Sequence, residues 1–206
     1  MEQSAQKQHT SICMVGIKGT GMTSLAVYLS NSGDVVFGWD SEEKFATDEV
    51  LISHHIPFFS TLTLSECPYP VDILIYSSAY TLFHPLIQEA IERDIPHFSY
   101  QEYLTQLSKE MLTYGVAGTH GKTTCVGYTD TLLSATGISH ASIYGSTLIA
   151  PSIESSEQER SLLILESCEY REHFQSYQLG GLLITNIEWE HSDYYPSYQS
   201  VLTAFL

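Results

Sequence analysis

The sequence predicts an α/β protein made of two parallel-sheet units in series. Three observations predict it. Short apolar runs alternate with helical-looking segments, and they do so twice along the 206 residues. Each series opens on a strand-like run that ends in a glycine-rich turn, Gly16–Gly21 in the first and Gly118–Gly121 in the second. Later apolar runs end on Asp40, Glu166 and Asn186. Alternation of this kind implies parallel strands with helices covering both faces of a sheet.

The elements follow in chain order. Ser11–Ile17 reads as the first strand, and Met22–Asn31 as a helix with Leu25, Ala26 and Leu29 on one face, closed by Gly33. Val35–Trp39 is the second strand and Asp72–Tyr76 a short buried one. Thr81–Arg93 has the apolar face Leu86, Ile87, Ala90 and Ile91 of a helix. Pro96 starts another short strand, and Ser99–Glu102 has the character of a helix cap. The second series runs from Leu112–Ala117 through the glycine turn into a helix over Cys125–Ala135, then Ala141–Tyr144. Pro151–Ser161, rich in Ser and Glu, reads as a loop. Leu162–Leu165 and Gly181–Thr185 read as buried strands, and Pro196 opens a last helix, Ser197–Leu206. The expected boundary lies near Ser108–Glu110, giving a Rossmann-like unit over 1–109 and a second unit over 110–206.

Composition narrows the function classes. Hydrophobic residues make up 43%, enough for a real core. The formal net charge of −16, from 24 acidic and 8 basic residues, argues against general nucleic-acid binding, which needs clustered cations. The four cysteines form no C-x-x-C pair, so a disulfide framework or zinc site is not expected and a reducing cytoplasm fits. No apolar run approaches the length of a transmembrane helix, and Met1–Thr10 lacks the apolar core of a signal peptide.

Gly118-Thr119-His120-Gly121-Lys122-Thr123-Thr124 carries the chemistry. A strand, a glycine turn, a lysine, a threonine and a helix make a place for a nucleoside triphosphate. Backbone N–H groups and the helix dipole favour phosphate there, Lys122 adds a point charge, and Thr123 offers a hydroxyl to Mg²⁺. The usual G-x-x-x-x-G-K-[ST] spacing needs Gly at 116, where Val116 stands, so the match is to a shorter form; an ordinary glycine turn is the bland alternative. In the first turn, G-x-G-x-x-G fails from Gly16 at Lys18, and from Gly19 at Ser24. A nucleotide-diphosphate site with Lys18 adding charge and Asp40 facing a ribose stands beside a purely structural turn, with an NAD(P) oxidoreductase as the naive reading. Glu166, at the end of a buried strand, stands where an Mg²⁺-binding acid sits in triphosphatases. Glu169 and the loop Asn186–Asp193, with Glu188, Glu190 and His191, follow. Singly, these acids read as solvated and His191 as structural; their convergence on strand ends is the argument. His54, His55, His84, His97, His140 and His173 show no ligand spacing.

Five stretches taken together resemble the Mur ligase family, the ATP-dependent amino-acid ligases of peptidoglycan precursor synthesis. They are Val15–Met22, Tyr76–Ala79, Ala117–Thr124, Glu166–Tyr170 and Thr185–Tyr194, in family order over most of the chain. The likeness is nearest to the member that joins L-alanine to UDP-N-acetylmuramate. The resemblance implies a UDP-sugar site at Gly16, Lys18, Gly19, Thr20, Gly21 and Met22, with Asp40, Ser77 and Ser78. It implies an ATP site at Gly118, Thr119, His120, Gly121, Lys122, Thr123 and Thr124, with Asn186, in a P-loop-type ATPase unit. Thr123 and Glu166 would hold one Mg²⁺, and Glu166 with His191 a second; Lys122, Glu166 and His191 are the expected catalytic residues. The implied reaction turns the muramoyl carboxylate into an acyl phosphate that the L-alanine amine attacks. No nucleic-acid or membrane partner is implied.

Three departures from the family pattern stand out. Lys18 replaces a usual Gly and Glu190 a usual Asp. Family members also run to about twice this length, so the sequence reads as lacking the C-terminal domain and part of the central one, and as inactive alone. The alternatives are a ligase that joins UDP-N-acetylmuramate to a tripeptide, and a non-catalytic nucleotide-binding module.

Overall fold

The computed structural model describes residues 9–61, 63–146, 162–168 and 170–205. The chain divides after Tyr100 into two compact units. The expected loop Pro151–Ser161 and Glu169 lie outside the described residues, as do Leu206 and most of the N-terminal stretch.

In the first unit, β1 (Ser11–Val15), β2 (Val35–Trp39), β3 (Phe58–Phe59), β4 (Ile73–Tyr76) and β5 (His97–Ser99) form one sheet in the order β3-β2-β1-β4-β5, every pair parallel. β1 is buried throughout, which is why its sequence is continuously apolar rather than alternating. Helices α1 (Thr20–Asn31), α2 (Thr47–Ser53) and α3 (Pro85–Glu92) connect the strands. One core cluster joins Val15, Phe37, Leu74, Leu86, Ile87 and Ala90. α3 starts at Pro85, not Thr81, because proline at the first helical position fixes φ without costing a hydrogen bond. Ile91, expected on its buried face, is exposed. The sequence reading passed over α2, whose buried face is only Thr47 and Leu51. Because β2 and β4 flank β1, the strand order reverses at the end of β1. In open α/β sheets that reversal is where ligands bind, and the Gly16–Gly21 turn lies there.

α4 (Tyr100–Glu110) leads into the second unit. Only its cap was expected from the sequence; the helix continues and buries Leu104, Leu107 and Ser108. Its residues bond within the second unit: the Gln178 amide donates to Ser108 Oγ at 3.0 Å, Thr105 Oγ1 lies 2.9 Å from Ser176 Oγ, and the Tyr177 hydroxyl donates to Gln101. These ties put the division at the start of the helix rather than at 108–110. The second sheet contains β6 (Leu112–Ala117), β7 (His140–Ile143), β8 (Leu162–Glu166) and β9 (Leu179–Ile184) in the order β7-β8-β6-β9, again parallel. α5 (Lys122–Thr136) follows β6, a 3-10 helix spans Tyr170–Ser176, and α6 (Tyr198–Ala204) ends the described chain. Ser197 caps α6 by accepting from the Ser200 amide. A buried pair, His140 Nε2 and Asp130 Oδ1 at 3.0 Å, ties α5 to β7. Gly181–Thr185 was expected to be a buried strand; β9 instead lies at an end of the sheet order, with Leu182, Leu183 and Ile184 exposed. Among the described residues, no helix is long and apolar enough to cross a membrane.

Candidate functional site

β6 lies between β8 and β9, so its carboxyl end is the second reversal point. The loop that leaves it holds Gly118 at φ +125° and Gly121 at φ +81°, conformations open to glycine. A Cβ at Gly118 would meet Thr185 Oγ1 at 2.3 Å and the Asn186 carbonyl oxygen at 2.7 Å. α5 starts at Lys122, three residues earlier than the periodicity suggested, so Lys122, Thr123 and Thr124 form its first turn. The amides of a first helical turn have no partner within the helix and point toward whatever lies beyond it. No acidic residue sits in that turn to occupy them.

The segment after β9 holds the loop in place. The Thr119 amide donates to the Asn186 carbonyl at 3.2 Å, and the His120 amide to Asn186 Oδ1 at 2.9 Å. Thr185 Oγ1 donates to the His120 carbonyl at 2.6 Å, and the Glu188 amide to Thr119 Oγ1 at 2.9 Å. Asn186 therefore acts on the loop backbone. Thr185 escaped the sequence reading of the site; its signal was only a hydroxyl residue ahead of the expected Asn. Lys122 Nζ lies over the loop, donating to the Gly118 carbonyl at 2.5 Å and the Thr119 carbonyl at 3.2 Å.

Thr123 and Glu166, 43 residues apart, meet: Thr123 Oγ1 is 3.0 Å from both carboxylate oxygens. The Gly145 amide donates to Glu166 Oε2 at 2.8 Å and fixes the carboxylate's orientation. A hydroxyl and a carboxylate form an all-oxygen donor set, which suits a hard cation such as Mg²⁺. His191 stands beyond β9 at φ +53°, its carbonyl accepting from the Tyr194 and Tyr195 amides at 2.8 Å each. Among the described residues, no group of three or more His, Cys, Asp or Glu is gathered as a metal site. His120 Nε2 lies 3.3 Å from Glu190 and 3.9 Å from Glu188, and all three side chains are exposed. Exposed pairs of this kind contribute little to stability.

In the first unit, Gly16 at φ +81° packs so closely that a Cβ would reach Tyr80 at 2.7 Å and Ser77 at 2.8 Å. The Gly19 amide closes the turn onto the Gly16 carbonyl at 3.2 Å. α1 starts at Thr20 with no side-chain cap and no acid in its first turn, so its positive end is left for an anion. Thr20 is exposed and Met22 buried. Lys18 and Asp40, both expected to face a ligand, are tied into the chain itself. Lys18 is 5% exposed. Its ammonium donates to the Ser41 carbonyl at 3.0 Å and the Glu43 carbonyl at 2.8 Å, 3.5 Å from Asp48 and 4.9 Å from the Phe58 ring. Asp40, equally buried, accepts the Lys18 amide and the Ser41 amide at 2.8 Å each. Both residues brace the turn from behind. The Ser77 amide donates to the Val15 carbonyl, and its hydroxyl accepts the Ala79 amide at 3.3 Å, while Ser78 is exposed. Tyr80 packs edge to face on Trp39 and on His84 beside the turn, and the Trp39 and His84 rings are tilted against each other. Burial, then the Asp40 carboxylate, pushes the Tyr80 hydroxyl above its ordinary range. Burial holds His84 below its own.

A family model described as "Mur ligase family, catalytic domain" matches residues 11–111. A UDP-N-acetylmuramate–L-alanine ligase of Borreliella afzelii (strain PKo) is 37% identical over 201 residues, covering 95% of this chain and 43% of its own length. One of the same name from Desulfitobacterium hafniense (strain Y51) is 38% identical over 197 residues, covering 94% and 43%. The solved structure of the UDP-N-acetylmuramate–alanine ligase from Thermotoga maritima matches with a TM-score of 0.79 at 25% identity, over 96% of this chain and 46% of that one. A Neisseria ligase for UDP-N-acetylmuramate and L-alanyl-γ-D-glutamyl-meso-diaminopimelate shares the fold, with a TM-score of 0.78 at 21% identity, over 96% and 67%. The chain spans less than half the length of the curated relatives it matches.

Proposed function

Because this chain belongs to the Mur ligase family, we propose that it is the UDP-sugar- and ATP-binding part of a cytoplasmic ligase that adds L-alanine to UDP-N-acetylmuramate in peptidoglycan synthesis. The observation that carries the reading is the contact of Thr123 with Glu166 beneath the Gly118–Lys122 loop, in a chain 37% identical to a ligase of that name.

A carboxylate is a poor electrophile, and MgATP supplies the phosphoryl group that turns it into an acyl phosphate. In this reading Gly118, Thr119, His120 and Gly121 shape a cradle, and the amides of the first turn of α5, Lys122, Thr123 and Thr124, face the phosphates. Lys122 leaves the Gly118 carbonyl and neutralises charge spread over the transferred group, which is where such catalysis is mostly achieved. Thr123 and Glu166 hold Mg²⁺, and Asn186 and Thr185 keep the loop from collapsing. By the family resemblance, His191 would join Glu166 in holding a second Mg²⁺. In the first unit the diphosphate takes the amides of Thr20, Gly21 and Met22 at the start of α1, beside the turn that Gly19 closes. Gly16 allows the close approach, Ser77 and Ser78 flank it, and Lys18 and Asp40 stiffen it.

Ligands held by the native state alone raise its melting temperature. UDP-N-acetylmuramate and MgATP are each expected to do so, and Lys122→Ala is expected to abolish the MgATP shift while leaving the UDP-sugar shift intact. A shift with NAD and none with the UDP sugar would overturn the first-unit reading. A MgATP shift unchanged in Lys122→Ala would overturn the second.

A further inference from the structure

Lys18 is tied to one stretch of chain through all three of its polar groups. Its amide donates to Asp40 Oδ2 at 2.8 Å, and its carbonyl accepts from Thr47 Oγ1 at 2.5 Å. Its ammonium donates to the Ser41 and Glu43 carbonyls, 3.5 Å from Asp48 Oδ1 and 5.7 Å from the centre of the Phe45 ring. Lysine is almost never buried this deeply unless its charge is satisfied. Every one of these partners lies between Asp40 and Asp48, in the stretch that leaves β2 and opens α2. Residues 42–46 of that stretch are exposed and belong to no strand or helix. β1 and β2 run parallel with Val15 opposite Trp39, so the Gly16–Gly21 turn and the 40–48 stretch leave the sheet at the same end. That end is the reversal point of the strand order, where open α/β sheets take ligands.

We propose that Lys18 is a positioning residue for the UDP sugar: it holds residues 41–46 as a fixed wall beside the Gly16–Gly21 turn, so that the nucleotide meets a surface already formed. The proposal rests on the UDP-sugar reading of the first unit. The ammonium is engaged by two carbonyls and Asp48, so its effect on binding runs through the wall rather than through contact with the diphosphate. A compact charge with three donors suits this task, because it reaches two carbonyls of one bend at once. An apolar side chain at 18 would keep the amide and carbonyl ties and withdraw the donor from Ser41 and Glu43. The wall would then be formed in only a fraction of the molecules, and apparent affinity falls by that fraction.

The test compares the whole chain with Lys18→Met, which keeps the stem and removes the charge, and with Thr47→Val, which keeps the ammonium and removes the tie to the Lys18 carbonyl. Backbone ¹⁵N relaxation reads the order of 41–46, and stopped-flow mixing reads UDP-N-acetylmuramate. Order parameters at 41–46 are expected near those of rigid backbone, about 0.85, in the native chain and below about 0.6 in Lys18→Met. The association rate is expected to fall about tenfold in Lys18→Met with the dissociation rate unchanged, since only the formed fraction binds. The MgATP melting shift should stay as it is. Thr47→Val should move order and association in the same direction by less, and if Lys18→Met does not fold, Thr47→Val decides on the same two measurements. The proposal is overturned if 41–46 stays ordered in the variant or if the association rate does not change. A faster dissociation with 41–46 still ordered overturns it too, because the ammonium would then touch the ligand. A native chain that does not bind the UDP sugar overturns the first-unit reading itself and the proposal with it, whereas native binding with an unaltered variant overturns the proposal alone.

Discussion

Gly118 and Gly121 need glycine for different reasons, and the difference is measurable. At Gly118 the backbone conformation and the space both exclude a side chain, because a Cβ would strike Thr185 and the Asn186 backbone. At Gly121 only the conformation does, since nothing lies within 4 Å of a Cβ there. Gly121→Ala is expected to cost about 1–2 kcal/mol of second-unit stability, the ordinary penalty for a left-handed residue. Gly118→Ala is expected to cost more and to abolish the MgATP shift as the Asn186 segment moves away. Equal losses in urea titrations of the two variants would contradict this. His84 sets a second residue-scale expectation. Burial holds its imidazole below the ordinary 6.5, so the unfolded chain binds more protons between the two values. The stability involved is fully present above 6.5 and is lost as pH falls through the folded value. His84 is the N-cap of α3 without a side-chain bond, and asparagine is a good residue there. Between about pH 7 and pH 5 the urea midpoint of His84→Asn should fall less than that of the native chain; an identical slope would remove His84 from the account. The convergence of Thr123 and Glu166 was legible beforehand, because each stands just beyond or at the end of a buried strand. The tie of Lys18 was not, since its acceptors lie in a loop beyond the next strand and nothing local marks them.

Elements were legible where their apolar periodicity was long, as in β1 and α1, and illegible where burial depends on neighbours. β9 shows why. Its run Leu182–Ile184 has the composition of a buried strand, but a run of that length does not say how many partners it has. Among the described residues β9 pairs only with β6, and Leu183 is 53% exposed. An apolar strand at a sheet edge is a template for pairing with another chain. The chain as it stands is therefore expected to self-associate with rising concentration, and Leu183→Lys to shift it toward monomer with little loss of stability. Sedimentation that finds the native chain monomeric throughout, or the variant no less associated, would refute this. α4 was legible only as a cap because its apolar face is narrow. Its place in the second unit rests on Gln101, Thr105 and Ser108, polar residues whose partners at 176–178 no periodicity reveals.

At the scale of the whole molecule, two proposed anion sites sit on a chain of net charge −16. A strongly acidic protein repels nucleotides at long range, even when a local cradle attracts them at contact. The two effects differ in range, and salt separates them. The Debye length is about 30 Å at 0.01 M and about 8 Å at 0.15 M, so added salt removes the distant repulsion first and leaves contact with helix amides largely intact. The first unit is the sharper case. Lys18, in the turn itself, is buried and already faces carbonyls and Asp48, so it adds little long-range pull. Lys122 beside the second loop is half-buried and offers some attraction of its own. Stopped-flow association of UDP-N-acetylmuramate is therefore expected to speed up severalfold between about 0.01 M and 0.15 M salt, with a smaller gain for MgATP. Association that slows steeply with salt for both ligands would mean that local cations, rather than backbone amides at the ends of α1 and α5, do the capturing.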